Sequence, residues 1–284
     1  MASISDERLA WLTAKAATVR MHTIKAASGA GGAHFGGAMS ASDILTALYF
    51  DVMRYDPLRP CWADRDRFIL SKGHAGIAFY AVLAEAGFFS VRELDTYNCL
   101  DTKLGQHPDM NKVAGADMSS GSLGHGLSVG AGMAIAGKLD RKNYRVFVLL
   151  GDGEIQEGMV WEAAMAAAHY KLDNLVAIVD YNRLQLDGPI EEVMGVEPLT
   201  QKWEAFGWST KEINGHSFPD LCETLSGAAF EEGKPSVIIA HTVKGKGVPL
   251  MEGKYEWHYG AMNAEQEKKA LAELGAIAGG VESV

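Results

Sequence analysis

Residues 145–188 read RVFVLLGDGEIQEGMVWEAAMAAAHYKLDNLVAIVDYNRLQLDG, and this stretch decides the fold. Two continuous apolar runs, 145–150 and 174–182, flank an alanine-rich segment at 157–170. A run that is apolar at nearly every position is typical of a parallel strand covered on both faces. The segment between the two runs has the length of one crossover helix, so the stretch predicts a β-α-β unit.

The rest of the chain repeats this alternation of strands and helices. Further strands are predicted at the start of 66–76, at 208–214 and at 235–243, and further helices at 5–27, 42–53, 75–87, 126–139 and 218–232. Such alternation favours an α/β fold with a doubly wound, mostly parallel sheet and helices on both faces. We expect one domain over residues 1–284, of which 263–284 form a C-terminal helical tail.

Two segments rich in small residues are predicted to be loops. They are SGAGGAHFGGAMS at 28–40 and GADMSSGSLGHG at 115–126. Glycine is abundant, at 32 of 284 residues, and is the residue that lets backbone turn sharply or approach a ligand closely. Ser40 or Ser42 is a suitable N-cap for the helix that follows the first segment.

Charge and cysteine content exclude several classes of protein. The net charge is −10 and no Lys/Arg run is present, which argues against nucleic acid and anionic membranes as partners. The cysteines, Cys61, Cys99 and Cys222, are odd in number and show no CxxC spacing, so neither a disulfide framework nor a zinc site is expected. No signal peptide and no membrane span is recognisable, and a cytoplasmic location is predicted.

Polar groups follow each of the two central strands. Asp152 lies in Gly-Asp-Gly directly after the first strand, and Asn182 ends the second, 30 positions later. Ligands of open parallel sheets bind beyond the carboxyl ends of the strands, so both side chains are expected at one edge. Carboxylate and amide oxygens are ligands that Mg²⁺ takes, with water and phosphate completing its shell. Gly151 and Gly153 leave room for a diphosphate beside a helix N-terminus.

Asp152 and Asn182, placed in this way, resemble the fingerprint of enzymes that use thiamine diphosphate. The longer stretch 151–188 is similar to transketolase in particular. Other segments resemble transketolase in the same order: SKGHA, GQHPDM, SSGSLGHGLSVGAGMA and HTVKGKGV, at 71–75, 105–110, 119–134 and 241–248. The resemblance covers about residues 5–260 and implies the diphosphate domain of the thiamine diphosphate-binding fold.

The resemblance implies a set of cofactor contacts. Mg²⁺, with Ca²⁺ or Mn²⁺ as alternatives, is expected on Asp152, Asn182 and the carbonyl group of Leu184. Thiamine diphosphate is expected to contact His74, Gly121, Ser122, Leu123, Gly151, Asp152, Gly153, Glu154, Asn182 and His258. The family usually has Gly-Pro-Leu where this chain has Gly121-Ser122-Leu123, but the contact there is made by the backbone.

Catalytic roles are implied for His34, His74, His107 and Glu157. His74 is expected near the diphosphate and the thiazolium ring, and His107 and His34 near the substrate. His34 follows Ala33, where the family usually has glycine, and the match around His258 is weak. Glu157 corresponds to a position that reaches the subunit interface and couples two cofactor sites.

The resemblance also implies a partner. In transketolases the carboxylate that activates the cofactor, and most groups that bind the sugar phosphate, lie in later domains. We therefore expect a separate C-terminal transketolase subunit with the pyrimidine-binding domain, in an α2β2 assembly. The expected reaction transfers a two-carbon ketol unit from a ketose to an aldose acceptor, with sugars or sugar phosphates as substrates.

Two other functions stay open from the sequence. One is the diphosphate-binding subunit of another thiamine diphosphate enzyme, of the 2-oxoacid dehydrogenase or 1-deoxyxylulose-phosphate synthase type. The other is a non-catalytic module that binds the cofactor. A nicotinamide-binding domain is excluded, because no GxGxxG follows the first strand.

Overall fold

A single parallel sheet organises the part of the chain that the computed structural model describes, residues 4–279. The strands are β1 (Arg67–Leu70), β2 (Val146–Gly151), β3 (Leu175–Tyr181), β4 (Ser209–Asn214) and β5 (Ser236–His241). Their order across the sheet is β1-β2-β3-β5-β4, and every neighbouring pair is parallel. This confirms the predicted α/β architecture.

Helices cover both faces of the sheet. They are α1 (Asp6–Gly29), α2 (Phe35–Ala47), α3 (Gly76–Glu85), α4 (His125–Leu139), α5 (Gly158–His169), α6 (Ile190–Val193), α7 (Leu199–Ala205), α8 (Phe218–Ser226) and α9 (Ala264–Ala278). Successive strand residues alternate between two apolar cores: Phe147 and Leu149 pack with α1, α2 and α3, whereas Val146 and Val148 pack with α4 and α5. Burial on both faces explains why β2 and β3 are apolar throughout.

The segment at 28–40, which its glycines predict to be a loop, is mostly helical, and only residues 30–34 connect two helices. The first helix runs to Gly29, α2 already begins at Phe35, and Ser40 and Ser42 lie inside α2, so neither is its N-cap. Every residue of α2 is buried. Small residues let this helix pack closely in the core, and tertiary packing offsets the roughly 1 kcal/mol that each interior glycine costs.

Two further boundaries differ from the sequence expectation. The helix expected at 218–232 ends at Ser226, and Ala229 follows with a positive φ of 105°. The expected tail helix forms as α9, begins with a capping box at Asn263, and packs against α1. Residues 280–284 of the predicted tail lie outside the described residues. That the chain forms one domain stays a prediction.

The carboxyl ends of β1, β2, β3 and β5 meet at one edge of the sheet. The segments that leave these strands carry the motifs singled out from the sequence, which places the candidate site at this edge. None of the helices within residues 4–279 combines the length and apolarity needed to cross a membrane.

Candidate functional site

A cavity of about 400 Å³ opens at the carboxyl ends of the strands. Its lining includes all of the predicted site residues except Ser122, which is exposed beside it: His34, His74, His107, Gly121, Leu123, Gly151, Asp152, Gly153, Glu154, Glu157, Asn182, Leu184 and His258. The sequence therefore predicted the members of one pocket. Lys72 and Lys244, which line the same cavity, were not predicted.

Asp152 and Asn182 lie side by side at the ends of β2 and β3. Asp152 is 3% exposed, and its carboxylate accepts the backbone N–H groups of Gly153, at 2.8 Å, and of Arg183. Asn182 accepts the N–H of Leu184 at 3.1 Å through its amide oxygen. Arg183 has a positive φ of 63°, and the tight turn that this produces brings the Leu184 carbonyl back toward the cavity.

The electrostatics of Asp152 fit a metal ligand. Burial, reinforced by the nearby Asp180 carboxylate, raises the pKa of Asp152 to about 6. Among the described residues Asp152 forms no ion pair, and no group of three His, Cys, Asp or Glu side chains is placed so that it could hold a metal ion. The available donors are one carboxylate, one amide oxygen and one carbonyl, a hard oxygen set that suits Mg²⁺ when phosphate and water complete the shell.

Two buried ammonium groups lie in the same cavity. Lys244 is 2% exposed and donates to the carbonyl of Leu184 at 2.7 Å, and it lies 3.0 Å from Nδ1 of His258. Burial, together with Lys72, lowers the pKa of Lys244 to about 8. Lys72 is 1% exposed, donates to the carbonyl of Gly37 at 3.1 Å and pairs with Asp180. A Cβ at Gly37 would lie 3.2 Å from the Lys72 ammonium, so glycine allows this approach.

Both lysines lie within segments whose sequence resembles transketolase, although neither is among the predicted site residues. Lys72 belongs to SKGHA and Lys244 to HTVKGKGV. A single lysine in a loop is ordinarily a solvated surface residue, so only the packing of the surrounding segments shows that these two are buried.

The four predicted histidines form one cluster. The ring of His34 lies 5.4 Å from that of His74, 6.2 Å from that of His107 and 5.6 Å from that of His258. Burial is the main reason why the pKa of each imidazole is lowered: to about 4 for His34, to about 3 for His258, and below the usual value for the other two. All four rings are therefore neutral at pH 7 and can both donate and accept hydrogen bonds.

Hydrogen bonding assigns the protonated nitrogen of one of these rings, His258. Because the Lys244 ammonium is a donor, Nδ1 of His258 accepts and the proton lies on Nε2. His258 also stacks on His74, with ring centroids 5.2 Å apart. Nδ1 of His34 is buried and has no hydrogen-bond partner among the described residues.

Three of the predicted residues take different positions around the pocket. Gly121 lies beside His107, and Leu123 exposes an apolar side chain at the cavity. The Glu154 carboxylate is buried and accepts from Ser71 and from the N–H groups of Gly124 and Gly151, both at 2.9 Å. This carboxylate therefore ties three loops together, and its contact with a cofactor stays a prediction.

Glu157, the fourth residue with an implied catalytic role, is exposed at the N-terminus of α5, where no cap hydrogen bond holds its side chain. This position leaves the side chain exposed at the start of the helix. Its coupling role stays a prediction.

Comparison with known proteins gives a consistent result. Residues 12–278 match the family model described as "Transketolase, thiamine diphosphate binding domain". The chain is 48% identical over 241 residues to an apulose-4-phosphate transketolase subunit of Phocaeicola vulgatus, covering 85% of each chain. It is 44% identical to the 6-deoxy-6-sulfo-D-fructose transketolase subunit SqwG of Clostridium sp., covering 92% of this chain and 94% of the relative.

Single-chain transketolases match over part of their length. The mouse transketolase is 41% identical over 270 residues, which are 95% of this chain and 43% of the mouse protein. The crystal structure of the Campylobacter jejuni transketolase superimposes with a TM-score of 0.87 at 30% identity, covering 93% of this chain and 42% of that one. The chain therefore belongs to the transketolase family, and it carries the thiamine diphosphate-binding domain of that family.

Proposed function

We propose that this chain is the diphosphate-binding subunit of a two-subunit transketolase, which moves a two-carbon ketol unit from a ketose to an aldose. The observation that carries the proposal is the single cavity in which a buried carboxylate, an amide, two ammonium groups and four neutral imidazoles meet. The alignments with two relatives that are named transketolase subunits span 85% and 94% of those relatives. This supports a transketolase subunit rather than a 2-oxoacid dehydrogenase subunit or a non-catalytic module.

The proposed metal is Mg²⁺, held by Asp152, Asn182 and the carbonyl of Leu184. The oxygen-only donor set and the buried, unpaired carboxylate of Asp152 support this assignment. Lys244, which forms no ion pair within residues 4–279, adds positive charge on the side of the cavity where a diphosphate would meet the metal. Buried cations next to a metal favour a polyanion, because charge attraction is weakly screened there.

Thiamine diphosphate, held in this cavity, would supply the nucleophilic carbon for attack on the carbonyl group of the donor sugar. The apolar side chains of Leu123 and Leu186, exposed by 36% and 58% at the rim of the cavity, provide surfaces on which its rings would pack. Removing that apolar area from water stabilises the bound cofactor by about 25 cal/mol per Å².

The imidazoles would hold the sugar. Neutral rings donate a hydrogen bond through one nitrogen and accept one through the other. His34 and His107 can therefore orient the hydroxyl groups of the donor sugar and exchange a proton with them. Both residues line the cavity, which supports this contact with a bound sugar. His74 and His258 lie closer to the lysines and would face the cofactor.

The proposed partner is a C-terminal transketolase subunit with the pyrimidine-binding domain, in an α2β2 assembly. Two relatives of similar length are named as subunits, and the exposed Glu157 lies at a helix N-terminus beside the cavity, where a partner could reach it. The cytoplasmic location also stays a prediction.

The test is reconstitution with a protein that carries a pyrimidine-binding domain and is encoded beside this one. The pair, supplied with Mg²⁺ and thiamine diphosphate, is expected to transfer a ketol unit from a ketose donor and to leave a 2-oxoacid untouched. The chain alone is expected to bind the cofactor without turnover. Failure of the chain to bind thiamine diphosphate, alone and in the pair, would refute the proposal.

A further inference from the structure

Directly behind the proposed metal site, one fully buried carboxylate collects donors from several segments of the chain. The Asp180 carboxylate is 0% exposed and accepts from Ser40 at 2.6 Å, from the Lys72 ammonium and from the hydroxyl of Thr242. The amide nitrogen of Asn182 lies 3.5 Å away on the same side. We call Asp180, Ser40, Lys72 and Thr242 the Asp180 cluster.

A regular relationship links this cluster to the cavity. At the ends of β1, β3 and β5, one residue joins the cluster and the residue two positions later lines the cavity. The three pairs are Lys72 and His74, Asp180 and Asn182, and Thr242 and Lys244. The cluster therefore joins three segments, each of which supplies at least one group to the lining of the cavity.

Stability alone does not account for such a pair of charges. A buried ion pair often contributes little net stability, because the cost of removing both groups from water offsets their attraction. Lys72 and Asp180 are 1% and 0% exposed, so this cost applies in full. Their mutual neutralisation also means that the pair brings no net charge to an anionic ligand.

We propose that Asp180 is a positioning residue for the cofactor: its carboxylate holds His74, Asn182 and Lys244 in register, and it orients the amide of Asn182 so that the oxygen faces the metal. The inference rests on the proposed function, since it takes these three residues as ligands of Mg²⁺ and diphosphate. Residues that orient metal ligands typically change metal affinity or activity by about 10–100-fold when they are replaced.

The substitution Asp180→Asn distinguishes a positioning role from a charge effect, because the two predict opposite changes in the affinity for the cofactor. Without the carboxylate, the Lys72 ammonium is an unpaired positive charge near the diphosphate, and charge alone would tighten binding. The asparagine amide, however, keeps one acceptor oxygen and puts an NH2 donor in place of the other, which would face the Lys72 ammonium or require Ser40 or Thr242 to turn its hydroxyl group from donor to acceptor. Loss of register between the segments would therefore weaken binding.

A matched control lies at the opposite edge of the sheet. Asp66 precedes β1, is 0% exposed, and also accepts four hydrogen bonds, two from Arg54 and two from Arg145. The variant Asp66→Asn removes an equally buried, arginine-paired carboxylate far from the cavity. It reports how much general destabilisation alone affects ligand binding.

The experiment is calorimetric titration of the full-length chain with thiamine diphosphate in Mg²⁺, together with the free energy of unfolding for each variant. We expect Asp180→Asn to raise Kd about tenfold or more, and Asp66→Asn to leave Kd within about twofold even where it destabilises the fold as much. The double variant Lys72→Met/Asp180→Asn restores neutrality and is expected to remain weak. Thr242→Val, which removes one donor and keeps the ion pair, is expected to raise Kd severalfold and serves if Asp180→Asn does not fold.

Three outcomes would overturn the inference. The first is that Asp180→Asn, or Thr242→Val where that variant replaces it, binds the cofactor as tightly as the wild type or more tightly. The second is that the double variant has wild-type affinity. The third is that Asp66→Asn loses as much affinity as Asp180→Asn. A wild-type chain that binds no cofactor, alone and in the pair with its partner subunit, would count against the proposed function instead.

Discussion

The ammonium group of Lys244 lies 2.7 Å from the carbonyl oxygen of Leu184, where the proposed metal and the proposed diphosphate meet. Its other polar partner is the neutral ring of His258, and within residues 4–279 it forms no ion pair. A buried cation that contacts only neutral acceptors is poorly compensated. Its pKa of about 8 shows the cost, and a phosphate oxygen beside it would relieve that cost.

Replacing Lys244 should therefore weaken binding of the cofactor. We expect Lys244→Met to lower the affinity for thiamine diphosphate in Mg²⁺ by a factor of about 10 to 100, since a hydrogen bond to a charged group is worth about 1.5–3 kcal/mol. Calorimetric titration measures this change. Lys246→Met, two residues along the same turn, is the control, because Lys246 is half-exposed and pairs with Glu252 at 3.3 Å. Equal losses in the two variants would contradict a specific role for Lys244.

Replacing Asp152 is expected to stabilise the ligand-free protein and to prevent its stabilisation by ligand. Its pKa is raised to about 6, so keeping its carboxylate ionised at pH 7 costs the fold about 3 kcal/mol, from 1.4 kcal/mol per pKa unit. Asp152→Asn removes this charge, and we expect the ligand-free melting temperature at pH 7 to rise. The same variant is expected to lose the increase in melting temperature that Mg²⁺ and thiamine diphosphate together produce.

Both halves of that prediction are read from thermal unfolding with and without ligand. Adding a chelator to the wild-type protein should abolish the ligand-dependent increase while leaving the ligand-free value unchanged. A ligand-dependent increase that survives in Asp152→Asn would mean that Asp152 does not hold the metal.

The sequence predicts which residues lie at the strand ends, but it does not predict the buried contacts of Asp180 behind them. Asp152 and Asn182 could be paired because parallel strands separated by one helix end at the same edge of a sheet. Asp180 lies at the last-but-one position of β3, and nothing in its local sequence shows that Ser40 and Lys72, 140 and 108 positions earlier, donate to it. Such contacts depend on how helices and loops pack, which local patterns do not record.

Helix α2 shows the opposite limit. Its glycines predict a loop, and propensity is a weak signal when tertiary packing decides. One of these glycines, Gly37, also leaves room for the Lys72 ammonium, so a residue that lowers the predicted helix propensity has a role in packing beside the site. Motifs that carry chemistry were thus recognised more readily than the element on which some of them lie.

Glu154 is expected to matter for stability. Its buried carboxylate joins the loop after β2 to the loop before α4 and to Ser71 after β1. Glu154→Ala would leave two backbone N–H groups and one hydroxyl without their acceptor, and each such group costs about 1–3 kcal/mol when it stays buried. We expect the free energy of unfolding, measured in urea, to fall by at least about 2 kcal/mol.

The control for Glu154→Ala is Glu157→Ala, three residues later. Glu157 is exposed and caps no N–H group, so its removal should change the free energy of unfolding by less than about 0.5 kcal/mol. A loss in Glu154→Ala no larger than this would show that the three loops do not depend on the carboxylate.

The histidine cluster predicts how stability depends on pH. Burial lowers the pKa of His258 to about 3 and that of His34 to about 4, whereas the unfolded chain binds these protons near pH 6.5. Between pH 6.5 and 4 the unfolded state therefore binds more protons than the folded state, so the stability from these rings is complete above pH 6.5 and is lost on acidification. Each ring contributes a slope of at most about 1.4 kcal/mol per pH unit.

Asp152 acts in the opposite direction within this window, because its raised pKa lets the folded state take up a proton below about pH 6. The contribution of one histidine is therefore isolated by difference. We expect His258→Gln to make the pH dependence of the unfolding free energy shallower between pH 6.5 and 4. His169→Gln, at the exposed end of α5, should leave the slope unchanged. Parallel curves for wild type and His258→Gln would mean that His258 already binds its proton in the folded protein, and the neutral cluster would have to be abandoned.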